Sequence, residues 1–361
     1  MGDGDGEMRI LNDRAAFTCA RWGAHFEQRG LFSPQYAQGS EGWLRTRRFA
    51  SGSTFGQMIA NGPAATLRLY EEYVRNGHRH EPLGDSAAEP VTILSQHLRR
   101  GKVGEGIAAK FLLHHARGCH PDADVHLLEC PSMLIDGMDL ASDSPDGALV
   151  ICRCRAGGEC HAAAVEIKFP LGAKDILCTH ADACRRLVAH ACAADCPGRT
   201  RSPFEALTRG GKRQATPPCQ ACIHAAVEHG WSRYYTQMMM HMLALGVDDA
   251  VFCRPVATRF VLEKAGIAEH DFAAFEALAA DTARVQALPE WLFRVYAVRT
   301  PDNYVREEYR RIFDSPLFDA ALGRHPVIDA FLADARLARE DRVTGDEPWF
   351  AAFFDTVESA K

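Results

Sequence analysis

A short run, Ala164-Val165-Glu166-Ile167-Lys168-Phe169, sets the tightest limit on how this chain folds, because it places two charged side chains where a core strand should be apolar. Side chains alternate across a strand, so Val165 and Ile167 take one face while Glu166 and Lys168 share the other. Upstream, Pro145-Asp146-Gly147 reads as a turn that opens the preceding strand, and an antiparallel return brings Asp146 close to Glu166. Two carboxylates and an ammonium at one sheet end suit phosphoryl chemistry on a hard metal. Their oxygens match Mg²⁺ or Mn²⁺, and the lysine can orient or deprotonate a water, or offset charge on phosphate. Taken alone, a Glu-x-Lys pair on a strand is more often a cross-face ion pair.

At 361 residues and 47% hydrophobic side chains the chain can bury a large core. No apolar run approaches the roughly 20 residues that span a bilayer. The acidic, Gly-rich start also lacks the basic and apolar regions of a secretory leader. The expectation is a soluble intracellular protein, in a cytoplasm or a host nucleus, neither secreted nor held by a membrane. Thirteen cysteines then point to thiols or metal ligands rather than disulfides. A net charge of −6 does not advertise a nucleic-acid binder, although a basic groove can coexist with it.

Three further stretches carry polar groups in patterned positions. Arg45, Arg47 and Arg48 precede the small-residue turn Ser51-Gly52-Ser53, where backbone N–H groups and a hydroxyl can receive an anion beside forked guanidinium donors. A capped helix with solvated arginines is the plain alternative. In Gly101-Lys102-Val103-Gly104-Glu105-Gly106-Ile107-Ala108, helical spacing puts Glu105 on the stripe of Ala108, Ala109 and Leu112. There it needs a partner, unless it serves only the helix dipole. A helix from Ser232 to Gly246 sets Arg233, Tyr234, Gln237 and His241 on one polar-aromatic face among methionines and leucines.

Ser144-Pro145-Asp146-Gly147 followed by Glu166-Ile167-Lys168-Phe169-Pro170 resembles the signature of the PD-(D/E)xK nuclease superfamily, and especially its YqaJ or lambda-exonuclease branch. The other stretches follow in that branch's order: Trp43 with arginines and a turn, a Gly-x-x-x-Glu-x-x-Ala helix, the Asp, the Glu-x-Lys, then Tyr-x-x-Gln. A second glutamine common in the family is replaced by Met239. The resemblance implies a restriction-endonuclease-like α/β fold, with a mixed central sheet flanked by helices. It implies a metal-dependent 5′-to-3′ exonuclease on linear duplex DNA, of viral or phage type, serving recombination or repair. Asp146, Glu166, the Ile167 carbonyl and Glu105 would hold Mg²⁺ or Mn²⁺, with Lys168 and Gln237 at the attacking water. Arg45, Arg47, Arg48, Ser53 and Tyr234 would grip DNA phosphate. The implied partners are duplex DNA ends, a single-strand-annealing protein and further copies of the chain. An endonuclease or junction-cutting enzyme of the same superfamily is the first alternative; a zinc-stabilised DNA-binding or scaffolding protein is the second.

The organisation expected is a tail at 1–8, a core at 9–265 interrupted by a Cys-rich insertion at 178–224, and a mostly helical C-terminal extension at 266–361. Cys192-x3-Cys196 and Cys219-x2-Cys222 resemble paired zinc knuckles, with an iron–sulfur cluster as the second reading. Arg199, Arg201, Arg209, Lys212 and Arg213 make that insertion locally basic, suiting either a DNA backbone or a solvated loop. Cys152, Cys154 and Cys160, with His161, can form a small metal site, but buried strand thiols are the preferred account. Strands are expected at 125–130, 133–140, 148–154, 161–168, twice within 249–264, and at 290–299. Helices are expected at 9–30, 64–76, 90–100, 267–287, 302–313, 326–341 and 347–358.

Overall fold

The apolar and small-residue runs assemble into one mixed sheet in a computed structural model that describes residues 17–32, 51–52, 54–56, 58, 62–64, 66, 93–138, 141–154, 158–169, 204–207, 232–255, 257–299 and 304–316. In chain order the strands are β1 (Asp124–Leu128), β2 (Met133–Leu134), β3 (Ser142–Asp143), β4 (Gly147–Cys152), β5 (His161–Ile167), β6 (Asp249–Pro255) and β7 (Phe293–Arg299). The helices are α1 (Ala20–Gln28), α2 (Ile93–Cys119), α3 (Ser232–Leu245), α4 (Thr258–Ala265), α5 (Phe272–Ala280), α6 (Thr282–Gln286) and α7 (Tyr304–Phe313). The main sheet has the order β1-β4-β5-β6-β7, and β2 pairs with β3 as a separate ribbon. Only β5 and β6 run parallel; the other neighbours in the main sheet are antiparallel.

Both faces of the sheet are covered, which is why its central strands read as near-continuous apolar runs. Leu149, Ile151, Ala163, Val165 and Ile167 enter one core, shared with Ile107, Phe111 and Leu112 of α2. Ala148, Val150, Ala162 and Ala164 enter the other, against Met238, Met239 and Met242 of α3. The alanines of β5 leave room for these unbranched, pliable side chains. Among the described residues no helix is long and apolar enough to cross a membrane.

Several elements differ from the sequence reading. The stretches at 90–100 and 101–113 form one 27-residue helix, α2, straight through Gly101, Gly104 and Gly106. Residues 249–264 hold one strand and one helix, not two strands. β6 ends at Pro255, and α4 follows because Thr258, Val261 and Leu262 recur at helical spacing on a buried face. Gly266, at φ 69°, closes α4 in the left-handed conformation. The single helix expected at 267–287 is broken at Asp281, whose carboxylate accepts from the Arg284 N–H and starts α6. The boundary at 265/266 does not separate two bodies, since β7 pairs with β6 along its length and carries the main sheet to Arg299. The helices expected at 326–341 and 347–358, and the tail at 1–8, lie outside the described residues.

Gly104 shows how α2 is seated on the sheet. A Cβ there would lie 2.2 Å from the Phe169 ring, so the glycine is the socket into which the residue after Lys168 packs. Gly106, two residues on, has nothing within 4 Å of an added Cβ. Alanine at the two sites is therefore expected to act with opposite sign in urea unfolding. Gly104→Ala should destabilise by about 1–3 kcal/mol through overpacking, whereas Gly106→Ala should stabilise by about 0.5–1 kcal/mol through helix propensity.

Candidate functional site

The β4–β5 hairpin builds the centre of the site. Its register pairs Gly147 with Val165 and Ile151 with His161. Extended one step past the pairing, it sets Asp146 opposite Glu166. Asp146 Oδ2 accepts from the Ile167 N–H at 2.7 Å and lies 3.8 Å from Lys168 Nζ. The ammonium donates to the Ile167 carbonyl at 3.1 Å and forms an ion pair with Glu166 Oε1. Glu166 Oε1 is fully buried against that ammonium.

Two residues outside the expected set complete the network. His241 Nε2–H donates to Glu166 Oε2 at 2.6 Å, and His241 Nδ1–H donates to Asp143 Oδ2. Asp143 Oδ1 accepts from the Gly52 N–H at 3.1 Å. All three side chains of the Asp143–His241–Glu166 relay are buried. A Cβ on Gly52 would come within 2.8 Å of Gln237 Cγ and 3.0 Å of Asp143 Oδ1, so only glycine lets this turn dock. Gln237 thus stands beside Gly52, one turn before His241 on α3.

The structure brings together Asp146, Glu166 and Lys168, with Glu105 of α2 near enough for its charge to act on Lys168 and Asp146, and sets Gln237 apart from them against Gly52. Arg45, Arg47, Arg48 and Ser53 lie outside the described residues, as does the side chain of Tyr234. Asp143 carried one sequence signal, its place three residues before Asp146. His241 carried another, its i+4 spacing from Gln237 among methionines.

Electrostatics assigns each group a state. Burial pushes the Asp146 carboxyl up, and Glu166 pushes it further, to about 7, against the opposing pull of Lys168. A quarter of that side chain, 25%, remains open to solvent, which tempers the effect. Burial also raises Glu105, with Glu166 adding to it. For Glu166 burial alone would raise the value, but Lys168 and His241 outweigh it and hold the group ionised. Burial would lower Lys168, yet Asp146 and Glu166 prevail and hold it as an ammonium. His241 is likewise raised against its burial, to about 10, by Asp143 and Glu166.

The site therefore holds four carboxyl groups, Glu105, Asp143, Asp146 and Glu166, against two cations. The elevated Asp146 and Glu105 record the surplus of negative charge. A divalent cation would relieve that surplus, and hard oxygens are the donors that Mg²⁺ takes. Their ligand atoms do not close on a single point as they stand. Mg²⁺ keeps several waters and needs only one or two carboxylates, so the donor chemistry fits it.

Among the described residues, the group whose ligand atoms do close together is Cys19, Cys152, Cys154 and Cys160, all within 4.8 Å of one another, an arrangement that can bind a metal ion. This replaces the reading of the three hairpin cysteines as separate buried thiols; Cys154 is in fact exposed. His161 takes no part, and faces Glu159 instead. Cys192, Cys196, Cys219 and Cys222 lie outside the described residues.

The histidine relay gives a pH dependence of known sign. An unfolded histidine titrates near 6.5 and native His241 near 10, so this contribution is full below about 6.5 and is lost as pH rises through about 10. Asp146 has largely titrated by pH 7.5, and thiols such as Cys253, pushed up by burial to about 12, lose stability only near and above the ordinary thiol range. Between pH 7.5 and 8.5, urea unfolding without added divalent cations should show wild type losing stability, and His241→Gln should make that slope shallower by about 1.4 kcal/mol per pH unit.

No model of a known protein family matches the chain, and no curated protein matches it.

Proposed function

We propose that this chain is a metal-dependent phosphodiesterase acting on DNA, with a restriction-endonuclease-like core and a 5′-to-3′ exonuclease activity on linear duplexes. One observation carries the reading. Asp146 is fixed by the Ile167 N–H beside the Glu166–Lys168 pair, so two carboxylates and an ammonium meet at the end of a buried strand. Burying that much charge costs several kcal/mol per ion unless a function or a partner offsets it.

Asp146, Glu166, Glu105 and the Ile167 carbonyl are the groups that would hold Mg²⁺. When bound, the ion supplies Lewis-acid polarisation of a phosphoryl oxygen and favours ionisation of a water. The remaining roles belong to the chain itself. Lys168, a permanent cation, hydrogen-bonds a nucleophilic water or a phosphate oxygen and offsets charge that develops there. His241 holds Glu166 in one rotamer through Oε2 and leaves Oε1 to Lys168. Gln237 orients small polar groups between α3 and the turn at Gly52. The arginines at 45, 47 and 48, with Ser53 and Tyr234, would receive the phosphate of a DNA end.

A second reading has a specific observation behind it: both oxygens of Glu166 already face internal cations, as they would in a purely structural ion network inside a binding protein. Digestion of linear duplex DNA in Mg²⁺ separates the two. Wild type should degrade linear DNA, faster from 5′-phosphorylated ends, and leave closed circles intact. Asp146→Asn and Lys168→Ala should each lose about 10²–10⁴-fold in rate while retaining fold and DNA binding. Cutting of closed circles would favour the endonuclease alternative, and no metal-dependent cleavage by folded wild type would favour the binding protein.

A further inference from the structure

We propose that Cys19, Cys152, Cys154 and Cys160 bind one zinc ion, which clamps the start of α1 to the end of the β4–β5 hairpin remote from the acidic site. The inference rests on the geometry of these four residues and is independent of the catalytic reading.

Three of the sulfurs stand 3.1, 3.1 and 2.7 Å apart, for Cys152–Cys154, Cys152–Cys160 and Cys154–Cys160. Cys19 completes a set that lies within 4.8 Å throughout. Thiolates about 2.3 Å from a zinc ion stand about 3.8 Å from one another at the corners of a tetrahedron, so these three sulfurs would spread by about 1 Å to take up an ion. A four-iron cluster spreads its thiolates around an inorganic core and would need a much larger displacement of the same sulfurs. One disulfide would use two of the four and leave the other two unexplained.

Local structure holds the ligands in place. Cys19 occupies the N-cap of α1, where the helix dipole favours an anion. Beside the ligands, the Gly158 N–H donates to the Arg153 carbonyl at 3.0 Å. The Trp22 indole donates to the Cys160 carbonyl at 3.2 Å, a second tie between α1 and the hairpin. The hairpin register that sets Asp146 opposite Glu166 also sets Cys152 opposite Cys160 at the other end.

The site is closed and uses only cysteine, which is the pattern of a structural rather than a catalytic zinc. Its role is to lock the register of the hairpin and to anchor α1, whose Phe26 enters the same core as Ala162 and Ala164.

The test is the metal content of the purified full-length chain, measured by elemental mass spectrometry after dialysis. Because other cysteines lie in the chain, the reading is the difference between variants. Cys154→Ser/Cys160→Ser should contain one zinc per chain less than wild type, whereas Cys119→Ser should match wild type. Alkylation of wild type alone keeps the proposal falsifiable should the double variant fail to fold. Cys19, Cys152, Cys154 and Cys160 should resist the reagent together and react together once a chelator is added. Equal zinc in wild type and the folded double variant would overturn the proposal. So would independent alkylation of the four thiols, a Cys154–Cys160 disulfide in the purified protein, or iron in place of zinc at these residues.

Discussion

A buried imidazolium between two buried carboxylates is the interaction on which the rest of this structure depends. His241 reaches Asp143 with one ring nitrogen and Glu166 with the other. Each group would be costly alone in the core, and each is tolerable because the next compensates it. The relay fixes three separate pieces of chain: the β2–β3 ribbon through Asp143, the end of β5 through Glu166, and α3 through His241. It also reaches the turn at Gly52 through the second oxygen of Asp143. Removing the histidine would set two carboxylates against each other in a space with no water to screen them, which makes it a positioning residue for Glu166 and, through Glu166, for Lys168.

The opposing charges also explain why this end of the sheet is not simply apolar. Lys168 lies between Asp146 and Glu166, and the next residue, Phe169, packs its ring over Gly104. The ammonium sets which carboxylate stays ionised. Glu166, with two cations, is held below its ordinary range, while Asp146 and Glu105, with less compensation, are held above it. Acidic groups with split protonation states in one site are a common property of sites that move protons or hold cations.

Much of this was legible in the sequence, and the gaps have identifiable causes. The strands around Asp146 and Glu166 were readable because alternation is local, and so was their approach, because a hairpin needs only a turn and a register. The mixed sheet flanked by helices was expected from the resemblance carried by Asp146 and the Glu166–Lys168 pair, not from periodicity, and the structure has such a sheet. The Asp143–His241–Glu166 relay was not readable, since its partners lie 98 and 75 residues apart and nothing local marks a histidine as paired. Cys19 escaped for the same reason: spacing rules find ligands on neighbouring knuckles, not one brought in by the N-terminus of a distant helix. The helix α4 was misread because Phe260, Val261 and Leu262 look strand-like until the capping glycine at 266 is weighed with them.

The register of the β4–β5 hairpin has an evolutionary corollary. The same pairing that faces Asp146 with Glu166 at one end faces Cys152 with Cys160 at the other. A one-residue insertion or deletion within either strand would reverse the facing of every side chain beyond it, separating one of these pairs whichever way the strand slipped to compensate. Natural variants of this chain can therefore change length freely only outside the paired strands, and the distance between the acidic end and the cysteine end should behave as a fixed ruler through sequence divergence.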